Sequence, residues 1–380
     1  MPNTIPHGRI PRRSFLLSLV GASLRSRLWA NPMLDAGGFS VQIGDPLSIE
    51  DSHGDTWVPA WSPDGKVYSP SDDSFGFRRA TDSNVAFNCF SGREQSDLSG
   101  ETVNGMAEYG RSASEGADGC SWKSSGCAYI EGALYLLVAR HKYGESSGDA
   151  RLRQTAANAS IIRSTDFGRT WRRNARENLE SPMFPGHRFA TAYFIQHADS
   201  IQRRETGNYV YAISNNGFWD NGDSMIVGRV RRDRIVRLAA TDWEFFGGKD
   251  SRGREVWIRD LTDARSVLES PGKLGMTGAV FVPTWRRYVM IGWYYPAGGG
   301  KIKGAASETV WDFYSAPEPW GPWVRFMSQR FTPQGYYSPQ ISPRFWARNR
   351  TYVWTAGNWN EPKYYKLTLL PLTFHSCGGD

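Results

Sequence analysis

The chain has 380 residues, with 16 Trp, 17 Tyr and 19 Phe, and 40% of it is apolar. That apolar share over this length can bury a large core, which excludes a disordered or fibrous chain. Of the formal charge of +7, five units come from Arg9, Arg12, Arg13, Arg25 and Arg27, in a stretch without an acid; the remainder, about +2, gives no basic face for nucleic acid.

Arg12 and Arg13 stand directly before an apolar stretch over 15–24 that ends among small residues. The order of basic region, short apolar region and small-residue exit is that of an export signal, and the paired Arg followed by Ser14, Phe15 and Leu16 resembles the twin-arginine type. The stretch is shorter than the roughly 20 residues that span a bilayer. The expected organisation is a leader over 1–36 and one domain over 37–380, periplasmic or secreted, monomeric and without a stable membrane anchor. Cys89, Cys120, Cys127 and Cys377 form no C-x-x-C pair, and with only six His there is no zinc pattern. Buried thiols and disulfides both fit these cysteines, and the spacing does not select a pairing.

From Phe39 onward, short runs of β-branched and aromatic residues alternate with Gly, Pro, Asn and Asp. Runs at 66–68, 128–138, 208–213, 224–230, 279–282, 287–293 and 350–355 have strand length and turn residues at their ends. No segment has a three-turn amphipathic period; 149–160, Ala-rich and weakly periodic, comes nearest. Units of a buried strand, a polar hairpin and a strand with Trp or Ser at its end recur at 58–69, 128–171, 209–243, 280–323 and 341–354. Five such units predict an all-β, five-bladed β-propeller. The Ser- and Gly-rich stretches 91–119 and 144–157 are expected as long surface loops over one face.

The most specific string, S-T-D-F-G-R-T-W over 164–171, looks like the Asp-box repeat of sialidase-type propellers. Its expected role is structural, for Ser164, Asp166, Gly168, Thr170 and Trp171 alike: the Asp166 carboxylate accepts backbone N–H bonds across the turn, Gly168 takes a left-handed conformation and Trp171 packs between sheets.

The first unit holds the best chemical candidates. Pro63, Asp64 and Gly65 suit a three-residue hairpin loop that pairs residue 62 with 66. Carried outward, that register sets Asp55 opposite Asp73, and a one-residue slip at Pro59 or Pro70 would bring Asp72 there instead. Like charges facing across a ladder destabilise it, so such a pair needs a compensating role. Two carboxylates with separated pKa values are the equipment of glycoside hydrolysis, one as acid and the other as base or nucleophile. Trp57 adds an aromatic face beside Asp55. Along the later units, His187 could orient a hydroxyl or bond the backbone; Asn215, Asn216, Trp219 and Asp220 form a polar loop with one aromatic face. Glu269 would be a third carboxylate, and Tyr336, Tyr337 and Gln340 open the fifth unit. Surface turns and blade packing are the plain readings of these residues.

Taken in order, G-D-T-W-x-P-A-W-x-x-D-G-x-x-Y-S-P with Asp73, then the 164–171 string, Gly228-Arg229-Val230, Met276-Thr277-Gly278-Ala279, Trp320-Gly321-Pro322-Trp323 and Tyr337-Ser338-Pro339-Gln340 are similar to a family of secreted bacterial five-bladed propellers. Some relatives in that family are endo-D-arabinanases. The resemblance implies hydrolysis of furanoside linkages, with Asp55 and Asp73 in the acid/base positions. Where relatives often carry an aromatic residue and Gly around the second carboxylate, this chain has Ser71, Asp72, Asp73 and Ser74.

The function expected is an exported glycoside hydrolase acting on a polysaccharide or oligosaccharide. Two rivals are a noncatalytic glycan-binding propeller and a sialidase-type hydrolase, the latter needing clustered Arg and a Tyr nucleophile. No cofactor is required; Asp220-Asn221-Gly222-Asp223 lacks the other positions of a calcium loop, and a structural Ca²⁺ enters only by analogy with other five-bladed glycosidases. No phosphate-binding, nicotinamide or serine-hydrolase motif is present.

Overall fold

The computed structural model describes residues 38–94, 97–109, 119–143, 154–173, 181–198, 207–297 and 305–376. The leader expected over 1–36 lies outside them, as does Cys377. The described chain is all-β, and its five sheets are the blades of a β-propeller.

The first blade is built from Ala60–Trp61, Val67–Ser74, Ser83–Ser91 and Ser99–Asn104, the second from Ser121–Ile130, Ala133–Lys142 and Thr155–Ser164. The third runs Tyr193–Phe194, Tyr209–Asn215, Ser224–Arg231, Trp243–Lys249 and Glu255–Ile258, with Leu268–Glu269 also on Ser224–Arg231. The fourth is Gln196–His197, Ala279–Val282, Arg287–Tyr294, Thr309–Ala316 and Val324–Phe331. The fifth combines Tyr337–Ile341, Arg350–Ala356 and Leu367–Ser376 with the earliest strand, Phe39–Ile43.

Two connections hold blades together. Phe39–Ile43 pairs antiparallel with Leu367–Ser376, so the fifth blade joins both ends of the described chain. Tyr193–Phe194 pairs antiparallel in the third blade, while Gln196–His197, two residues on, pairs parallel with Ala279–Val282 in the fourth. Within five consecutive residues the chain thus passes from one sheet to the next. Between blades, indoles fill the core: Trp57, Trp243, Trp293, Trp311 and Trp354 are fully buried. Cys89 and Cys127 are buried free thiols.

Local sequence explains two of the turns. Gly65 has φ +80°, Ser62 N donates to Lys66 O at 3.1 Å, and Ala60 pairs with Tyr68 as the hairpin loop predicts. At the 164–171 turn, Thr170 N and Oγ1 donate to Asp166 at 2.9 and 2.7 Å, and Ser164 Oγ donates to it at 2.7 Å. Gly168 has φ +87°, and Trp171 meets Phe87 of the first blade edge-on at 4.8 Å. Two expectations about loops are corrected. Ser99–Asn104, inside the stretch read as a loop, is the outer strand of the first blade, its polar residues reflecting an exposed edge. Thr155–Ser164 begins inside the last three residues of the loop expected over 144–157 and is a strand, paired with Ala133–Lys142.

Candidate active site

The inner end of the first blade sets the site. Asp55 N donates to Asp72 O at 3.0 Å and Asp72 N to Asp55 O at 2.8 Å, so Asp55 faces Asp72 and not Asp73. The cause is one additional residue between Asp55 and Ala60, accommodated by Thr56 at φ +56°. Gly54 permits this approach: at φ +123°, a Cβ there would meet Asp72 O and the Ser74 side chain at 2.8 Å.

Asp73 has φ +44°, which breaks the regular alternation of the strand. Asp72 and Asp73 consequently both reach the second blade. The buried Asp72 carboxylate accepts from Ser124 N at 3.1 and 3.2 Å and from Ser124 Oγ at 2.8 Å. Asp73 forms an ion pair with the buried Lys123, and Tyr143 OH lies 3.0 Å from both of its oxygens. Asp55 accepts from Tyr337 OH at 2.7 Å and from Thr56 Oγ1 at 3.1 Å.

These surroundings separate the carboxylates electrostatically. Burial pushes the Asp55 pKa up to about 6, with Lys123 opposing and the charge of Asp73 adding to the rise. Burial also works against an ionised Asp73, yet the Lys123 charge and the Lys123 and Tyr143 hydrogen bonds bring it below the ordinary carboxylate range. Asp72 is driven well above that range, chiefly by burial. Lys123 is raised despite its own burial, because Asp73, Tyr143, Asp72 and Asp55 surround it.

Asp55 and Asp73 open on a cavity of about 270 Å³ to which all five blades contribute. The second blade supplies Lys123, Tyr143 and Gln154, the third Trp219 and Asp220, the fourth Trp293 and Tyr295, and the fifth Tyr337, Trp359 and Tyr365. Beneath the wall, buried His141 braces three of these residues: its ring meets Tyr143 at 4.5 Å and Trp219 at 4.8 Å edge-on, and its Nε2 lies 2.9 Å from Gln154 Oε1. A void of only about 10 Å³ lies between the inner strands, walled in part by Val58, Tyr193, Gly278 and Gln340.

Of the residues singled out in the sequence, Asp55, Asp73, Trp219, Asp220 and Tyr337 line the cavity. The others do not. Trp57 is a core residue between Phe77 and Phe90, its Nε1 donating to Gly54 O at 2.9 Å. Asp72 lies behind the wall, on Ser124. His187 Nδ1 bonds the Ala156 carbonyl at 2.8 Å. Asn215 is buried, its amide nitrogen donating to the carbonyls of Phe218 and Leu274. Glu269 is exposed on the strand paired with Ser224. Tyr336 is buried beside Phe331, and its carbonyl accepts from Trp311 Nε1 at 2.8 Å. Gln340 accepts from Gly278 N at 3.1 Å and borders the smaller void. Lys123 had a legible signal, a Lys inside the buried strand Ser121–Ile130; Tyr143, Trp293, Tyr295, Trp359 and Tyr365 carry no local pattern that separates them from core aromatics.

The 220–223 loop does not build a calcium cage. Both side-chain atoms of Asn221 are engaged by the Tyr295 backbone, and Asp223 accepts from Gly272 N and Asn216 Nδ2. Among the described residues, no three His, Cys, Asp or Glu side chains are grouped to hold a metal, and Lys123 is the cation among Asp55, Asp72 and Asp73.

No protein-family model matches the chain, and no curated protein does. Solved structures do match. A Bacteroides ovatus protein described as a candidate hydrolase superposes with a TM-score of 0.50 at 14% identity, over 84% of this chain and 85% of that one. The catalytic domain of Coprinopsis cinerea GH62 α-L-arabinofuranosidase gives 0.47 at 12% identity, over 88% and 98%. The GH43_1 enzyme from Xanthomonas citri, complexed with xylose, gives 0.44 at 10% identity, over 86% and 90%. The neighbours include five-bladed propeller glycoside hydrolases; at these identities the likeness is one of fold.

Proposed function

We propose that this chain is an exported glycoside hydrolase acting on a neutral polysaccharide or oligosaccharide, with furanosidic linkages the first to test. The observation that carries the reading is the opposed pair in one aromatic cavity: Asp55 raised to about 6 and Asp73 held ionised by Lys123. Asp55 donates its proton to the leaving glycosidic oxygen as the bond to the anomeric carbon breaks. Asp73 takes a proton from the attacking water, or attacks the anomeric carbon itself; the carboxylate separation in the substrate complex decides between these routes. Asp72, buried on Ser124, has no role in proton transfer to substrate. Export rests on the Arg12-Arg13 leader.

Neutrality follows from the lining. Among the described residues it offers Asp55, Asp73 and Asp220 against Lys123 and no Arg, so an anionic sugar meets no clamp and a sialidase-type reaction lacks its recognition group. Noncatalytic glycan binding is the second reading, favoured by the contact of Tyr143 with both oxygens of Asp73.

The deciding experiment compares the mature protein with an Asp55→Asn, Asp73→Asn double variant on plant, algal and bacterial polysaccharides, measuring new reducing ends. Release by the parent and a loss of about 10²-fold or more in the variant is expected for carboxylate acid/base chemistry. Binding without release, equal in both proteins, would establish the second reading.

A further inference from the structure

The large apolar side chains left exposed among the described residues include two aromatics, Tyr143 at 36% and Trp359 at 40%. Both border the cavity. Single exposed aliphatic residues on a surface need no explanation, but an aromatic ring held open at the mouth of a polar cavity presents an apolar face beside hydrogen-bonding groups, as sugar rings require.

Trp359 is held in place. Its neighbour Asn358 is buried, donates its backbone N–H to Gln334 O and donates its side-chain amide to Pro333 O at 3.2 Å. Asn358 Oδ1 accepts from Asn360 N at 3.1 Å, Asn358 O accepts from Glu361 N at 2.9 Å, and Gly357 N donates to Tyr364 O at 2.9 Å. Trp359 lines the same cavity wall as Tyr295. A loop pinned on both sides of an indole keeps the ring in one place at low entropic cost to a ligand.

The cavity has about 270 Å³, roughly nine waters at ~30 Å³ each, which is the scale of one sugar ring with its hydroxyls. The void of about 10 Å³ among the inner strands is too small for a chain to thread. We infer that the cavity encloses a single terminal ring and that Trp359 is the platform on which the adjoining, leaving-group ring stacks, so that the enzyme removes units from a chain end. This inference rests on the glycosidase reading.

The test is calorimetric titration of the full mature chain carrying Asp55→Asn, with and without Trp359→Ala or Trp359→Phe. The probes are xylose, xylobiose, arabinose and α-1,5-arabinobiose. The expected result is that Trp359→Ala weakens a disaccharide about tenfold and its monosaccharide less than twofold, while Trp359→Phe retains disaccharide affinity. Equal effects on both sugars, or none on either, would overturn the platform and leave the hydrolase reading standing. If no probe binds the Asp55→Asn parent, this pocket assignment fails, whereas the hydrolase reading fails only if the polysaccharide panel also yields no release.

Discussion

At the scale of single residues, Asp55 and Lys123 govern how the site responds to pH. In the proposed reaction, turnover needs Asp55 protonated and Asp73 ionised. With Asp55 at about 6, the rate is expected to fall as pH rises above that value, and to fall again in acid where Asp73 takes up a proton; a pH profile of kcat/KM checks both limbs. Lys123→Met removes the charge that holds Asp73 low, so the acid limb should move to higher pH while the alkaline limb moves with Asp55. The same burial sets a cost to the fold. Asp55 goes from 3.8 to about 6, so its stabilising contribution is complete below pH 3.8 and is lost as pH rises through 6, on the order of 3 kcal/mol in all. Asp55→Asn should therefore melt a few degrees above the parent at pH 8 and show no such advantage at pH 3.5, while losing turnover. Thermal melts at the two pH values test this sign directly. Asp73 has the opposite dependence: its contribution is present above its unfolded value and disappears in acid.

At the scale of elements, the two inner strands of the first blade do the positioning. Gly54→Ala would place a methyl group 2.8 Å from Asp72 O at a φ that alanine avoids, so a destabilisation of about 1–3 kcal/mol and a fall in kcat from displaced Asp55 are expected, read by denaturant melts and kinetics. These strands also mark where sequence reasoning stops. The Pro63-Asp64-Gly65 hairpin was legible because loop type fixes register locally, and Ala60 and Tyr68 pair accordingly. The register at Asp55 was not, because Thr56, a β-branched residue, takes a left-handed conformation that its own preference opposes. Five blades were readable from recurring strands and turns, whereas Ser99–Asn104 was hidden by an edge strand's polar composition. Lys123 and Asp73 meet only through the packing of one blade on the next, and no spacing in the chain encodes that meeting.

At the scale of the whole molecule, closure depends on the pairing of Phe39–Ile43 with Leu367–Ser376. Deleting 39–43 should expose that edge, with the inward-facing Phe374 and Leu372 beside it, and give a chain that melts with lower cooperativity and self-associates; calorimetry and size-exclusion chromatography would register both effects. The cavity depends on this closure as well, since Tyr337, Trp359 and Tyr365 come from the fifth blade.

The same pairing imposes a timetable on synthesis. A ribosome adding about 5–20 residues each second delivers the earliest strand of the ring tens of seconds before its partner emerges. Throughout that interval Val41 lacks the sheet that covers it in the finished molecule. Until the last strand is released, Phe39–Ile43 has no partner with which to complete the fifth blade. Under the proposed export in folded form, translocation waits for that moment, and completion of the fifth blade is the step that precedes it.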